Sequence, residues 1–140
     1  MGGAHIPAAL RRAVFKRAGS RCEYCLIPES VVLVSHEVDH VIAQKHGGAT
    51  TAENLALSCT TCNNRKGTDL TSIDPADGSI ALLFNPRREQ WNEHFRLSGS
   101  RIEGLTPTGR ATIALLHLNA VERLVERNLL IAAGLIGPRN

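Results

Sequence analysis

Four cysteines in two pairs, Cys22-x2-Cys25 and Cys59-x2-Cys62, constrain this chain more than any other feature. A gap of two residues lets both thiolates of a pair face one point from a single turn. Two such turns supply the tetrahedral four-sulfur shell that Zn²⁺ accepts. No other cysteine competes for the pairing, and 33 residues separate the pairs. One ion would therefore tie the end of a first helix to the start of a second across a long hairpin. Four thiolates leave no open position for water, so this zinc is expected to be structural. Two disulfides are the competing reading, but they belong to oxidising compartments. The N-terminus "MGGAHIPAALRR" has no apolar signal-peptide core, and no apolar run approaches the roughly 20 residues needed to span a bilayer. A cytoplasmic chain with reduced thiols and no membrane partner is expected.

A metal staple suits the composition. The 140 residues include one Trp, one Tyr and three Phe, and a small core poor in aromatics gains from a second source of stability. The net charge is only +3, yet Arg11, Arg12, Lys16, Arg17 and Arg21 fall within eleven residues. Such a run is either a solvated helix face or an electrostatic footprint for nucleic acid.

Pattern along the chain predicts a helix over 7–18. Pro7 suits its first position, Leu10, Val14 and Ala18 recur at i+4 spacing, and Gly19 stops it. "CEYC" is a tight turn. "SVVLVSHEVDHVI" is rich in β-branched residues and reads as strand, in one piece or as two strands with an early turn at "IPES". "KHGGATTAEN" is a loop, and "TTCNNRKG" a short helix closed by Gly67. "TDLTSIDPADGS" is turn-rich and marks the boundary between a core, residues 1–72, and an extension, residues 73–140. In the extension "IALLFNP" reads as strand, "RREQWNEHF" as a short amphipathic segment and "RLSGSRIEGL" as strand pieces. Thr106-Pro107 starts a helix, and Asn119 with Glu122 is read as the capping box of a last helix through about Ala133. Leu115, Leu116, Leu124, Leu129, Leu130 and Ile131 exceed what one stripe needs, which suggests a homodimer face.

Between and just beyond the cysteine pairs lie Asp39-His40, Gly47-Gly48, Asn54, Asn63 and Lys66. Hydrolysis of a phosphodiester needs a base for water, a cation on the phosphate oxygens and help for the leaving oxygen. Histidine is the natural base near neutral pH. A hard cation such as Mg²⁺ or Mn²⁺ takes oxygen ligands, so an Asp carboxylate and an Asn carbonyl suffice from the protein. Neighbouring helical residues point about 100° apart, so Cys62 can face the zinc while Asn63 faces elsewhere.

Written out, "EVDHVIAQKHGGATTAENLALSCTTCNNRKG" closely resembles the HNH endonuclease family, and the likeness extends back through "RRAVFKRAGSRCEYC". The resemblance implies an α+β fold: a small zinc-stapled ββα-metal core with an N-terminal helix and a mixed, mostly helical C-terminal extension. It implies that His40 is the general base and that Asp39 and Asn63 hold a catalytic divalent cation. Asn54 is then the middle letter, bracing the loop that holds the histidine. Asn63 stands where the last His often sits, giving an H-N-N variant. DNA is the implied partner, with Arg12, Lys16 and Lys66 as phosphate contacts. Relatives usually carry Pro at the position of Ala43. His36 shares a strand face with His40 by parity, which would place it near the site, but a structural role is the favoured reading; His46 and Glu37 read as solvated. "LFNPRREQWNEHF" resembles an extension found in one subgroup. There Asn85, Pro86, Trp91, His94 and Phe95 suggest a packed anchor, and the segment reads as a structural cap on the small core in preference to a DNA path lined by Arg87, Arg88, Arg96 and Arg101. A zinc-stapled nucleic-acid-binding module without activity is the alternative reading.

Overall fold

The computed structural model describes residues 5–137. The chain divides into two compact units, Met1–Asn63 with Asn85–Arg88, and Asn64–Phe84 with Glu89–Asn140.

The first unit opens with α1, Ala8–Ala18. Pro7 sits one residue outside it as the N-cap, and Gly19, in the left-handed region at φ 64°, ends it by donating to the carbonyl of Lys16 while Ser20 donates to that of Phe15. The antiparallel hairpin follows: β1, Glu37–His40, against β2, Leu55–Ser58, with Val38 opposite Leu57, Asp39 opposite Ala56 and His40 opposite Leu55. Ile6, Val14, Val38, Leu55 and Leu57 form the buried core, with Leu10, Phe15 and Ala18 packed at its margin. The i+4 spacing of Leu10, Val14 and Ala18 thus marks the face of α1 that meets the hairpin. After β2 comes α2, Thr60–Lys66, which completes a β-β-α order; the division between the units falls within it.

Only the second half of the predicted "SVVLVSHEVDHVI" strand forms. Glu29–Val31 is a 3-10 turn, and no strand covers residues 32–36. Val34 is exposed and Leu33 is fully so, at 105%. β-Branched composition favours strand only where a neighbouring strand offers hydrogen bonds and packing, and β2 is long enough to pair with 37–40 alone.

The second unit contains two further antiparallel hairpins. In one, β3, Thr71–Ile73, pairs with β4, Ile80–Leu82. After the one-turn helix α3, Trp91–His94, β5, Phe95–Ser98, pairs with β6, Arg101–Gly104. Helix α4, Pro107–Leu116, packs on both hairpins. Its cap is the one expected: Thr106 Oγ1 accepts from the Gly109 N–H. The buried Asp74 carboxylate, at the turn of the first hairpin, takes two hydrogen bonds from Arg110 of α4, and this guanidinium holds the carboxyl below its usual range. Trp91, Phe95 and Phe84 form an aromatic cluster, with Phe95 centred 5.1 Å from Trp91 and 5.2 Å from Phe84.

The last helix, α5, covers Val121–Ala132, and its N-cap is Ala120. Asn119 does not cap it. Its side chain bonds both the N–H and the carbonyl of Ile102, at 2.9 and 2.7 Å, so it secures β6 instead. Arg127 is the buried anchor of α5, donating to the carbonyls of Ser100 and Leu118. Val121, Val125 and Leu129 are exposed along the helix at i+4 spacing. No helix among the described residues is long and apolar enough to cross a membrane.

Candidate metal centre and hydrolytic site

The two cysteine turns converge. The sulfurs of Cys22, Cys25, Cys59 and Cys62 all lie within 4.8 Å of one another, and all four residues are buried. Cys25 Sγ is 3.6 Å from Cys59 Sγ, close to the roughly 3.8 Å edge of a tetrahedron with metal–sulfur bonds of about 2.3 Å. Backbone N–H groups of Cys25 and Cys62 point at the sulfurs of Cys22 and Cys59, which partly neutralises a thiolate. None of the four is in a disulfide. The first turn is tight: Leu26 N–H donates to the Cys22 carbonyl, Cys22 N–H to that of Ile27, and Leu26 adopts φ 74°, unusual for a residue with a side chain. Burial pushes the Cys22 thiol well above its ordinary range. A buried cluster of this kind becomes anionic only with a cation among the sulfurs, and the donor set suits a soft or borderline metal such as zinc.

The other constellation is built on the end of β1. Val41 N–H donates to the Asn54 backbone carbonyl at 2.8 Å. The Asn54 side chain then bridges the loop. Its Oδ1 accepts from Ile42 N–H, and its Nδ2 donates to the carbonyls of Ile42 and Ala49, each at 2.9 Å. Gly48 lies under this bridge: a Cβ there would fall 1.7 Å from the Ile42 oxygen and 2.8 Å from Asn54 Nδ2. The second glycine of the Gly-Gly pair is therefore a requirement of close approach. Ala43 holds φ −61° and ψ 153°, within proline's range, so the loop keeps a proline-like path without that residue.

His40 is half-buried, and its Nε2 lies 2.8 Å from Thr50 Oγ1. Asp39 is half-buried on the opposite parity, where its charge, after burial itself, helps to push the Tyr24 phenol well above its ordinary range. Along α2 Cys62 is buried and Asn63 half-buried, as a step of about 100° per residue implies.

Other expected residues fall elsewhere. His36 is a structural residue: it is buried, its Nε2 is 2.9 Å from the Ile27 carbonyl, and its Nδ1 is 3.5 Å from Glu29. Lys66 is 3% exposed, so it is not presented to a phosphate on the surface. Within the basic run, Arg11, Arg12 and Lys16 are exposed. Arg17 is not simply solvated, because it donates to the carbonyls of Ala52 and Leu55 on either side of Asn54. Of the four arginines weighed as a DNA path, Arg87 pairs with Glu23 and Arg96 with Glu103, in keeping with the preferred reading of this segment as structural. Burial raises the Glu23 carboxyl from its ordinary range in spite of that pairing. Two residues that sequence reasoning missed are Thr50 and Arg17. Neither carried a signal beyond its place, one in a polar loop and one in a basic run.

The model of the HNH endonuclease family matches residues 22–69. The chain is also similar to the Septu protein PtuB of Bacillus thuringiensis, 28% identical over 127 residues, which is 87% of this chain and 46% of that protein. It therefore spans about half the length of that relative. No solved structure matches it. The matched segment contains both cysteine pairs, the β1–β2 hairpin, the Asn54 bridge and α2, so residues 22–69 match the HNH family with an element order consistent with its ββα-metal core.

Proposed function

We propose that this domain is a metal-dependent endonuclease that hydrolyses DNA phosphodiester bonds. The observation that supports it most is the Asn54 bridge, which fixes the loop leaving β1 through three side-chain hydrogen bonds and so fixes His40 at its start. A binding protein has little use for so rigid a histidine, whereas a general base must be held close to its productive geometry. In this reading His40 takes a proton from water as the water oxygen bonds to phosphorus and the bond from phosphorus to the leaving oxygen breaks. Asp39 and Asn63 offer hard oxygen donors that fit Mg²⁺ or Mn²⁺. Such an ion, when bound, supplies positive charge for the phosphate and its departing oxygen. Zinc in the cysteine cluster serves the fold.

Purified protein with Mg²⁺ or Mn²⁺ is expected to nick supercoiled plasmid, and a chelator to stop it. Binding without cleavage under both ions would leave only the nucleic-acid-binding module. Affinity is expected to come from exposed Arg12 and Lys16, one helical turn apart on α1. Neutralising both should weaken binding to any sequence. It should also flatten the plot of log affinity against log salt by about 0.9 for each phosphate that the protein no longer neutralises. An unchanged slope would show these side chains to be a solvated face.

A further inference from the structure

The Asn54 bridge fixes the backbone around His40, but it leaves open how the imidazole ring is held. That task falls to Thr50. Its Oγ1 lies 2.8 Å from His40 Nε2, and His40 is the sole hydrogen-bond partner of that hydroxyl among the described residues. Nδ1 of the same ring has no hydrogen-bond partner among the described residues, and the residue as a whole is half-buried. The two nitrogens are therefore unequal: one is tied to Thr50, the other is not tied to any described residue.

We infer that Thr50 is a positioning residue that selects the working tautomer of His40, with the proton on Nε2 directed at Thr50 Oγ1 and the lone pair on Nδ1 free for water. The inference rests on the nuclease reading for its catalytic meaning. A neutral imidazole carries one proton, so the nitrogen that donates cannot also be the base. Were Thr50 to donate to Nε2, the ring proton would sit on Nδ1 and that nitrogen could not accept one. A hydroxyl can take the opposite role without cost, because it accepts from Nε2–H while its own proton turns to solvent, and Thr50 is only half-buried. The Asn54 bridge supports this arrangement from behind. Its Nδ2 holds the carbonyl of Ala49, the residue before Thr50, so one amide fixes both the strand end that carries the histidine and the segment that carries its partner. Arg17, bonded to the carbonyls of Ala52 and Leu55, secures the same stretch from α1.

The test uses the intact zinc-loaded chain in three forms: wild type, Thr50→Val and Thr50→Ser. The ring nitrogens of His40 are read by ¹⁵N NMR at a pH where the imidazole is neutral, and plasmid nicking is followed with Mg²⁺. Wild type is expected to show Nε2–H with a bare Nδ1. Thr50→Val, which removes the hydroxyl at similar volume, should give a tautomer mixture and lower kcat by about 10- to 100-fold, the usual cost of losing an orienting partner, with KM little changed. Thr50→Ser should restore both. A wild-type ring protonated on Nδ1 overturns the inference, and that spectrum decides it even if Thr50→Val does not fold. So does a Thr50→Val protein with wild-type tautomer and rate. If His40→Ala is inactive while Thr50→Val is unaffected, the nuclease reading stands and the role of Thr50 falls. If wild type does not cleave at all, the nuclease reading falls while the spectra still judge the hold of Thr50 on the ring.

Discussion

Replacing Cys22 and Cys59 together with serine is expected to abolish cooperative unfolding of the first unit, and prolonged chelation of the native protein to do the same. The magnitude follows from two scales. The described hydrophobic core of that unit is Ile6, Val14, Val38, Leu55 and Leu57 with three partly buried neighbours, a small set against the entropy of ordering about sixty residues. A structural zinc in a small domain contributes apparent binding free energy of about 10–16 kcal/mol at neutral pH, as large as the whole stability of an ordinary domain, about 5–15 kcal/mol. Four thiol sulfurs converge with no disulfide among them, so a cation held there would be the unit's largest single stabilising interaction. Protein purified without added metal should contain one zinc per chain by elemental analysis, and the doubly substituted protein none. A zinc-free protein that still melts cooperatively, or a mass two or four hydrogens lighter from disulfides, would contradict this.

The site was more legible in the sequence than the fold around it, for physical reasons. The convergence of the four cysteines could be read because a Cys-x2-Cys turn is a local geometry, fixed by neighbours in the chain. Asn54 could be read because its place in a motif implied a bridge, and it makes one. Gly48 could be read as part of that motif, and close backbone approach is what excludes a side chain there. Where tertiary partners decide the outcome, local reading failed. Asn119 has the spacing of a capping box with Glu122, yet the backbone of Ile102 offered it two bonds in place of one. Val31 to Val34 have strand composition but no strand to pair with. Lys66 carries a charge that suggests a surface role, yet it is buried. Thr50 looked like any loop threonine, because only the closed loop brings a residue ten positions away to the ring of His40.

Substitutions at Asp39 and His40 should separate two kinds of loss in adjacent residues. They occupy consecutive positions of β1, so their side chains leave opposite faces of the strand, and one change need not disturb the other's surroundings. His40→Ala is expected to keep zinc, fold and DNA affinity while the nicking rate falls at least about 10²-fold, the low end for removal of a general base. Raising Mg²⁺ should not recover it, because the missing function is proton transfer. Asp39→Ala is expected to lose activity through weaker binding of the catalytic cation, so its rate should climb with Mg²⁺ at concentrations that already saturate wild type. The double variant adds a check. If both residues serve one transition state, its rate should lie well above the product of the two single losses, since a step deprived of one essential partner has less left to lose from the other. The metal titration carries the decision. A His40→Ala protein rescued by Mg²⁺ would move that imidazole from base to ligand. An Asp39→Ala protein indifferent to Mg²⁺ would remove the carboxylate from the metal site and leave Asn63 without its proposed partner.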